Sequence, residues 1–328
     1  MSAVDRIAEA FLLQATGCER LGSPATAALL RQLTEDLRKA GPVLAIVEDF
    51  EDDPVEAALS LRLVGGLRYL ALAGERTPER RLDKHVAFLR EFVRRPVQTN
   101  EVGRSLPLLG GFLVAAARFA LPLRLLEIGS SAGLNLLWDR YHHAFGDATW
   151  GAAESPVRLE AQWKGELPPL SAPVEIAERR GCDTAPIDLY TEEGCRRAEC
   201  YIWPDQTARF ARFRAAVEVA REERVRVETA DAGDWLETRL ETPTPGALTV
   251  VFHSIVRQYL SPGSRAAVEA ALDAAGKCAT PNAPLAHLAM EPETPEARPD
   301  LRLTLWPGGE TRRLAWCHPH GAKVEWLH

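Results

Sequence analysis

LRLLEIGSSAGLN (residues 123–135) is the stretch that decides the fold of the C-terminal part of this chain. A mostly apolar run leads into Glu127, and Gly129, two serines and Gly133 follow. Such a run is typical of a buried strand, and glycines directly after it let the backbone turn tightly or lie against a ligand. The stretch therefore predicts a strand, a turn and a helix over residues 132–145, the first repeat of a parallel sheet covered by helices.

Short apolar runs alternate with helical patterns along the chain after Pro122, which extends this sheet. The predicted strands are residues 123–128, 173–177, 225–229, 247–253, 285–290, 301–306 and 312–317. The predicted helices are residues 132–145, 206–221, 234–240 and 264–275. Pro307, Gly308 and Gly309 separate the last two strands, which predicts a hairpin and one antiparallel strand.

Apolar residues recur at three- and four-residue spacing over most of the first 120 residues, which predicts helices. These helices are expected at residues 3–16, 25–40, 54–73, 80–94 and 105–120. The predicted organisation is an α-helical N-terminal domain (1–120) followed by a Rossmann-like α/β domain (121–328).

Composition argues against several partners. A net charge of -7 and an isoelectric point of about 5.7 are unfavourable for binding to nucleic acid. Arg118, Pro122 and Arg124 interrupt the most apolar stretch, so no membrane span is expected. The six cysteines are scattered and no secretion signal is recognised, which indicates free thiols in a reducing cytoplasm. The sequence does not determine the oligomeric state.

The spacing of the glycines separates two cofactor classes. Ser131 occupies the middle position, so the stretch does not fit the dinucleotide fingerprint G-x-G-x-x-G. The spacing E-x-G-x-x-x-G resembles motif I of S-adenosylmethionine (SAM)-dependent methyltransferases, where an acidic residue suits the positively charged amino-acid end of SAM. The predicted SAM-binding residues here are Glu127, Gly129, Ser130, Ser131, Gly133 and Asn135. A strand-to-helix turn without a ligand is the alternative.

Polar residues follow the other predicted strands, at the edge where open parallel sheets bind ligands. Asp183 is predicted to bind the ribose of SAM and Asp231 its adenine amino group, with a plain turn or cap as the alternative for each. Asp234 is predicted to cap the following helix. His253 after the fourth strand is a predicted catalytic residue. Two more residues on this edge are predicted to bind substrate, Ser254 and Glu291.

Five longer strings carry more information than these single motifs. They are QTNEVGRS (98–105), LLEIGSSAGLNLLWDRY (125–141), WPDQTARFARFRAAVEVA (203–220), VFHSIVRQYLSP (251–262) and CHPHGAKVEW (317–326). Together they resemble the bacterial family called domain of unknown function 2332, over nearly the whole chain. The resemblance implies a methyltransferase-like fold, with a seven-stranded Rossmann-like sheet expected here, and it implies no assigned activity.

The first of these strings lies just before a predicted helix. One interpretation is a lid in which Asn100 and Glu101 contribute to catalysis and Arg104 binds substrate. The alternative is a capped helix that packs on the C-terminal domain.

Histidines cluster at two further places. Cys317, His318 and His320 lie close enough to suggest zinc, but no partner pair has finger-like spacing, so no metal is predicted. His320 is instead a predicted base or hydrogen-bond donor to substrate. His142 and His143 fall near the end of the predicted helix, where a histidine is electrostatically favourable.

The predicted function is methyl transfer from SAM to an acceptor that the sequence does not identify, with a small molecule favoured. Two alternatives remain open. One is a hydrolase that uses histidines and a carboxylate, with or without a metal. The other is a non-catalytic module that binds SAM or a partner, so the sequence leaves open whether the protein is an enzyme at all.

Overall fold

The computed structural model describes residues 2–50, 52–55, 57–294 and 297–327. They form two compact units. The first contains the residues up to Asn100 together with Leu189–Phe213, and the second contains Glu101–Asp188 together with the residues from Arg214 onward. This division differs from the predicted domains, because residues 101–120 belong to the second unit and residues 189–213 to the first.

Helices and strands are numbered in chain order. The α-helices are α1 (Ala3–Arg20), α2 (Pro24–Arg38), α3 (Pro42–Val47), α4 (Leu59–Leu72), α5 (Leu82–Phe92), α6 (Ser105–Phe119), α7 (Glu192–Glu199), α8 (Thr207–Glu222), α9 (Ala232–Leu240) and α10 (Pro262–Cys278). The strands are β1 (Leu123–Ile128), β2 (His142–Phe145), β3 (Ala148–Trp150), β4 (Arg158–Glu160), β5 (Gln162–Lys164), β6 (Ile176–Asp183), β7 (Val227–Thr229), β8 (Leu248–Ser254), β9 (Leu285–Glu291), β10 (Asp300–Trp306), β11 (Glu310–Cys317) and β12 (Lys323–Trp326).

The first unit is a helical assembly around one apolar core. Ile7 and Phe11 of α1 and Leu30 of α2 are fully buried in it. The segment from Leu189 contributes as well, since Asp205 accepts a hydrogen bond from the Ala25 backbone N–H at 3.0 Å. That carboxylate satisfies a free N–H in the first turn of α2, which Pro24 opens.

The second unit is built on a nine-stranded mixed sheet with the order β5-β12-β11-β10-β9-β8-β1-β6-β7. The neighbours from β9 to β7 run parallel, and β10, β11 and β12 follow as an antiparallel meander. The α/β class and the late hairpin are confirmed. The predicted number of seven strands is wrong because β5 and β12 extend the edge, and strands of three or four residues are too short to show a period.

The predicted helix over residues 132–145 is also wrong. A 3₁₀ helix covers Leu134–Arg140, with non-helical backbone at Leu137, and β2 follows it. β2 pairs with β3 and β4 in a separate small sheet, so His142 and His143 lie on a strand and not at a helix end. Burial lowers the pKa of His143 to about 4, which makes the ring a neutral member of the core.

Helices cover both faces of the large sheet. α6 packs on one face, which we call the α6 face, where Phe112 meets Phe252 of β8 edge-on with ring centroids 5.0 Å apart. By length and composition Val102–Phe119 would suffice to cross a membrane, but 78% of it is buried inside the protein. This segment is therefore part of the protein core in this structure. α9 and α10 cover the opposite face, the α10 face, around Leu126 and Val251.

Candidate functional site

The glycine loop, residues 129–133, connects β1 to the 3₁₀ helix. Gly129, Ser131 and Gly133 have φ angles of 64°, 53° and 74°, in the region that favours glycine. A β-carbon on Gly129 would lie 2.6 Å from Val256 Cγ1, and one on Gly133 would lie 2.7 Å from Val225 Cγ1. Both glycines are therefore required by the backbone and by valine side chains that lie directly on them.

The two aspartates predicted to contact SAM have partners within the protein. Asp183 Oδ2 accepts the Ser131 N–H at 2.9 Å and its Oδ1 accepts the Ala185 N–H at 2.9 Å, so it holds the glycine loop in place. Asp231 caps α9 by accepting the Gly233 N–H at 2.8 Å. The predicted cap, Asp234, lies instead in the first turn of α9. The ribose and adenine contacts of these aspartates stay predictions.

Glu127 is the most unusual group at this edge. The residue is 3% exposed, and its Oε2 is buried with no hydrogen-bond partner among the residues that the structure describes. The pKa of Glu127 is raised to about 8, chiefly by burial; Ser130 lowers it, Asp183 adds to the increase, and Arg104 acts against it. The carboxyl group is therefore protonated at neutral pH. Ser131 Oγ is likewise buried, and no described residue offers it a hydrogen bond.

The remaining predicted residues of the glycine stretch have internal roles. Ser130 Oγ donates to the Glu127 backbone carbonyl at 2.9 Å. Asn135 Oδ1 accepts from Ser105 Oγ at 2.7 Å, which joins the first residue of α6 to the 3₁₀ helix. Glu127 and Ser131 are thus the two predicted side chains here that keep a buried oxygen without a partner.

The segments 101–105 and 318–321 meet at the carboxyl edge of the sheet. Arg104 is buried, and it donates from Nη1 to the Ser254 carbonyl at 2.9 Å and from Nε to the Pro319 carbonyl at 2.9 Å. Gly103 lies so close to the His320 carbonyl that a β-carbon would clash with it. Glu101 accepts the Gly103 N–H at 2.9 Å, as a capping residue does. Arg104 therefore holds these backbone segments together, and its predicted role in binding substrate stays a prediction.

Two further predicted catalytic residues have hydrogen bonds of their own. Asn100 belongs to the first unit, where its Nδ2 donates to the Gln98 carbonyl at 3.4 Å. His320 donates its backbone N–H to His318 Nδ1 at 3.1 Å, and the two rings meet edge-on. The ring of His320 is only partly buried at the edge of the sheet, so its predicted role stays a prediction.

One known family covers nearly the whole chain. A family described as uncharacterized protein conserved in bacteria (DUF2332) matches residues 8–82 and 77–326. The chain belongs to the DUF2332 family. No curated protein and no solved structure matches it. The family description assigns no reaction, so the function of this DUF2332 protein has to be argued from its site.

A second polar cluster in the DUF2332 protein joins β8 and β9. His253 Nδ1 lies 2.6 Å from Glu291 Oε1, and its Nε2 lies 3.0 Å from His287 Nε2. A carboxylate only accepts, so His253 carries a proton on Nδ1. Burial, with a smaller effect of His253, lowers the pKa of His287 to about 3, so His287 is neutral. His287 was not predicted from the sequence, although alternation along β9 places it on the same face as Glu291.

The Glu127 side chain and the His253 cluster lie on opposite faces of the sheet. Glu127 pairs in register with Phe252 and shares the α6 face, whereas His253, the next residue along β8, belongs to the α10 face. Ser254 alternates back to the α6 face. A serine–histidine pair is therefore not formed by these neighbours, which weighs against the hydrolase alternative. Among the described residues, no group of three or more histidine, cysteine, aspartate or glutamate side chains is arranged to hold a metal.

Proposed function

We propose that this DUF2332 protein binds SAM at the glycine loop and transfers the methyl group to a small-molecule acceptor. The observation that carries the proposal is a pair of buried oxygens at the loop, Glu127 Oε2 and Ser131 Oγ, for which the described part of the chain offers no hydrogen-bond partner. Leaving a buried polar group unsatisfied costs roughly 1–3 kcal/mol, and such groups in folded proteins often mark a binding site. A cationic amino group carries three N–H donors, which is the kind of group that both oxygens lack.

The order of the parallel strands supports the same position. β1 lies between β8 and β6, so the glycine loop emerges from the middle of the parallel part of the sheet. Ligands of open α/β sheets bind outside the carboxyl ends of such strands. This part of the sheet resembles the methyltransferase type, and the antiparallel meander beyond β9 is a departure from it. The support from fold is by analogy.

The chain's own residues have distinct roles in this proposal. Bound SAM supplies an activated methyl group on a sulfonium. Glu127 would release its proton to solvent and pair with the amino group of the ligand, and Ser131 would accept a second hydrogen bond from that group. Methyl transfer depends mainly on the alignment of the reacting atoms. Glu291 orients His253. When the hydrogen bond between His253 and His287 opens, His253 takes up the proton that the methyl acceptor loses.

Substitution at the two oxygens tests the proposal directly. Glu127→Gln keeps the shape but removes the anion, and we expect it to weaken binding of S-adenosylhomocysteine by roughly tenfold to a hundredfold, the effect of one charged hydrogen bond. Ser131→Ala should weaken binding by about fivefold. Isothermal titration measures both, with the exposed Glu237→Gln on α9 as the control. A wild-type protein that binds neither SAM nor S-adenosylhomocysteine at millimolar concentration would overturn the proposal.

Binding should also release a proton. Because the pKa of Glu127 is about 8 in the free protein, the carboxyl is protonated at pH 7, and a bound cation favours its ionised form. We expect about one proton released per ligand at pH 7, and an affinity that rises up to about tenfold per pH unit until pH 8. Titration in buffers with different ionisation enthalpies measures the release. An identical release in Glu127→Gln would assign the proton to another group.

A further inference from the structure

Residues Ile255–Arg257, which we call the strap, follow β8, and Val256 in the middle of the strap lies on Gly129 of the glycine loop. Val256 Cγ1 and Cγ2 are each 2.6 Å from the point where a β-carbon on Gly129 would be. No real β-carbon tolerates such a contact, so only glycine lets this valine lie so close. The space beside Gly129 that a β-carbon would otherwise occupy is thus filled by the Val256 side chain.

The strap is held in a strained backbone. Ile255 has a φ of 53°, a left-handed conformation that is a genuine outlier for a β-branched residue. Its N–H donates to the Met290 carbonyl at 2.9 Å, which fixes the strained residue against β9. Strained residues of this kind persist where the surrounding structure holds them, and they cluster at ligand clamps and switch regions.

One carboxylate oxygen anchors the strap and orients the histidine. Glu291 Oε1 accepts the Val256 N–H at 2.9 Å and the Arg257 N–H at 3.4 Å. The same oxygen lies 2.6 Å from His253 Nδ1. Lifting the strap would remove the backbone donors from Glu291 and leave its bond to His253.

We propose that the strap is a gate on the glycine loop, closed in this structure, which has to lift before a ligand reaches the loop. The inference rests on the proposed function, because it assumes that the loop is the binding site. Relief of the strain at Ile255 offsets part of the packing energy that Val256 gives up on lifting. Glu291 connects the two sites, since the position of the strap changes the hydrogen bonds around the partner of His253.

A matched pair of valine substitutions tests the gate. Val256→Ala shortens the side chain on Gly129, and Val225→Ala shortens the one on Gly133, which is outside the strap. We expect Val256→Ala to raise the open population, and with it the association rate of S-adenosylhomocysteine, by about tenfold, because alanine packs less well on the loop in the closed state. Val225→Ala should leave that rate near the wild-type value. Equal rates in the wild type and Val256→Ala would overturn the gate.

A second pair of substitutions tests the backbone strain and is expected to lower the association rate. Asn tolerates positive φ far better than Ile, so Ile255→Asn should favour the closed strap and slow association several-fold. Arg224→Asn, at a φ of 55° outside the strap, serves as its control. Faster association in Ile255→Asn would contradict the role of strain.

A measurement without ligand separates the gate from the proposed function. Hydrogen exchange at the Ile255 amide, which donates to the Met290 carbonyl in the closed structure, reports lifting of the strap. Faster exchange in Val256→Ala than in Val225→Ala supports the gate even if no variant binds S-adenosylhomocysteine, an outcome that would remove only the methyltransferase proposal. Unchanged exchange in Val256→Ala overturns the gate whether or not the ligand binds.

Discussion

Glu127→Gln is expected to make the protein more stable than the wild type at pH 9, and to change the free energy of unfolding far less at pH 5. The folded-state pKa of about 8 is raised above the ordinary value of 4.5, so the folded protein keeps a proton that the unfolded chain loses between these values. Stability contributed by that proton is complete below pH 4.5 and is lost as the pH rises through 8. At about 1.4 kcal/mol per unit, the loss approaches roughly 4–5 kcal/mol.

Urea unfolding at pH 5, 7 and 9 measures this effect. The glutamine variant has no carboxyl to ionise, so its advantage over the wild type should grow with pH and level off above pH 8. Glu237→Gln on the exposed surface of α9 is the control for removing a negative charge. Parallel stability profiles for the wild type and Glu127→Gln would show that Glu127 ionises normally. A gain in stability together with weaker ligand binding is the expected signature of a residue kept for function.

Gly321→Ala is expected to cause the second large effect. Gly321 has a φ of 72°, and a β-carbon there would overlap the Gly103 carbonyl oxygen, which is backbone and cannot move aside cheaply. The left-handed φ alone costs roughly 1–2 kcal/mol and the overlap adds roughly 1–3 kcal/mol, so a destabilisation of about 3 kcal/mol is expected. The same displacement would pull Pro319 away from Arg104 at the carboxyl edge of the sheet.

Gly246→Ala provides the matched control. Gly246 has a φ of 78°, but a β-carbon there would meet no atom of the described residues within 4 Å. Both substitutions carry the cost of positive φ, so the difference between their unfolding free energies isolates the contact between segments 101–105 and 318–321. Equal destabilisation by the two substitutions would mean that these segments do not press on each other in solution.

The failed helix over residues 132–145 shows the limit of local patterns. Apolar spacing there fits a helix, but Gly133 adopts a left-handed φ and Leu137 is non-helical. Residues 142–145 instead pair with β3 and β4, which follow later in the chain. Those pairings outweigh helix propensity, which is a weak local preference. These pairings involve segments outside residues 132–145, so the pattern within that stretch does not reveal them.

The candidate site was predicted in part. Glu127, the glycine loop and Glu291, the partner of His253, were recognised because they follow strong apolar runs, and such residues gather at the carboxyl edge of a parallel sheet. His287 was not recognised, since its role depends on the register that brings β9 beside β8. The prediction that these residues all converge at one edge was also too simple. Glu127 is in register with Phe252, the neighbour of His253, so the side chains of Glu127 and His253 lie on opposite faces of the sheet.

Local patterns in the sequence were enough to predict the α/β class, the order of the central strands along the chain and the late hairpin. They also identified the acidic residue before the glycine loop. They were readable because period, turn residues and strand ends are local properties. Only the tertiary structure decided that Val256 lies on Gly129, that Asp183 holds the loop, and that Glu127 is buried without a partner for Oε2. These features depend on packing between residues far apart in the chain, and burial and register arise only when those residues meet.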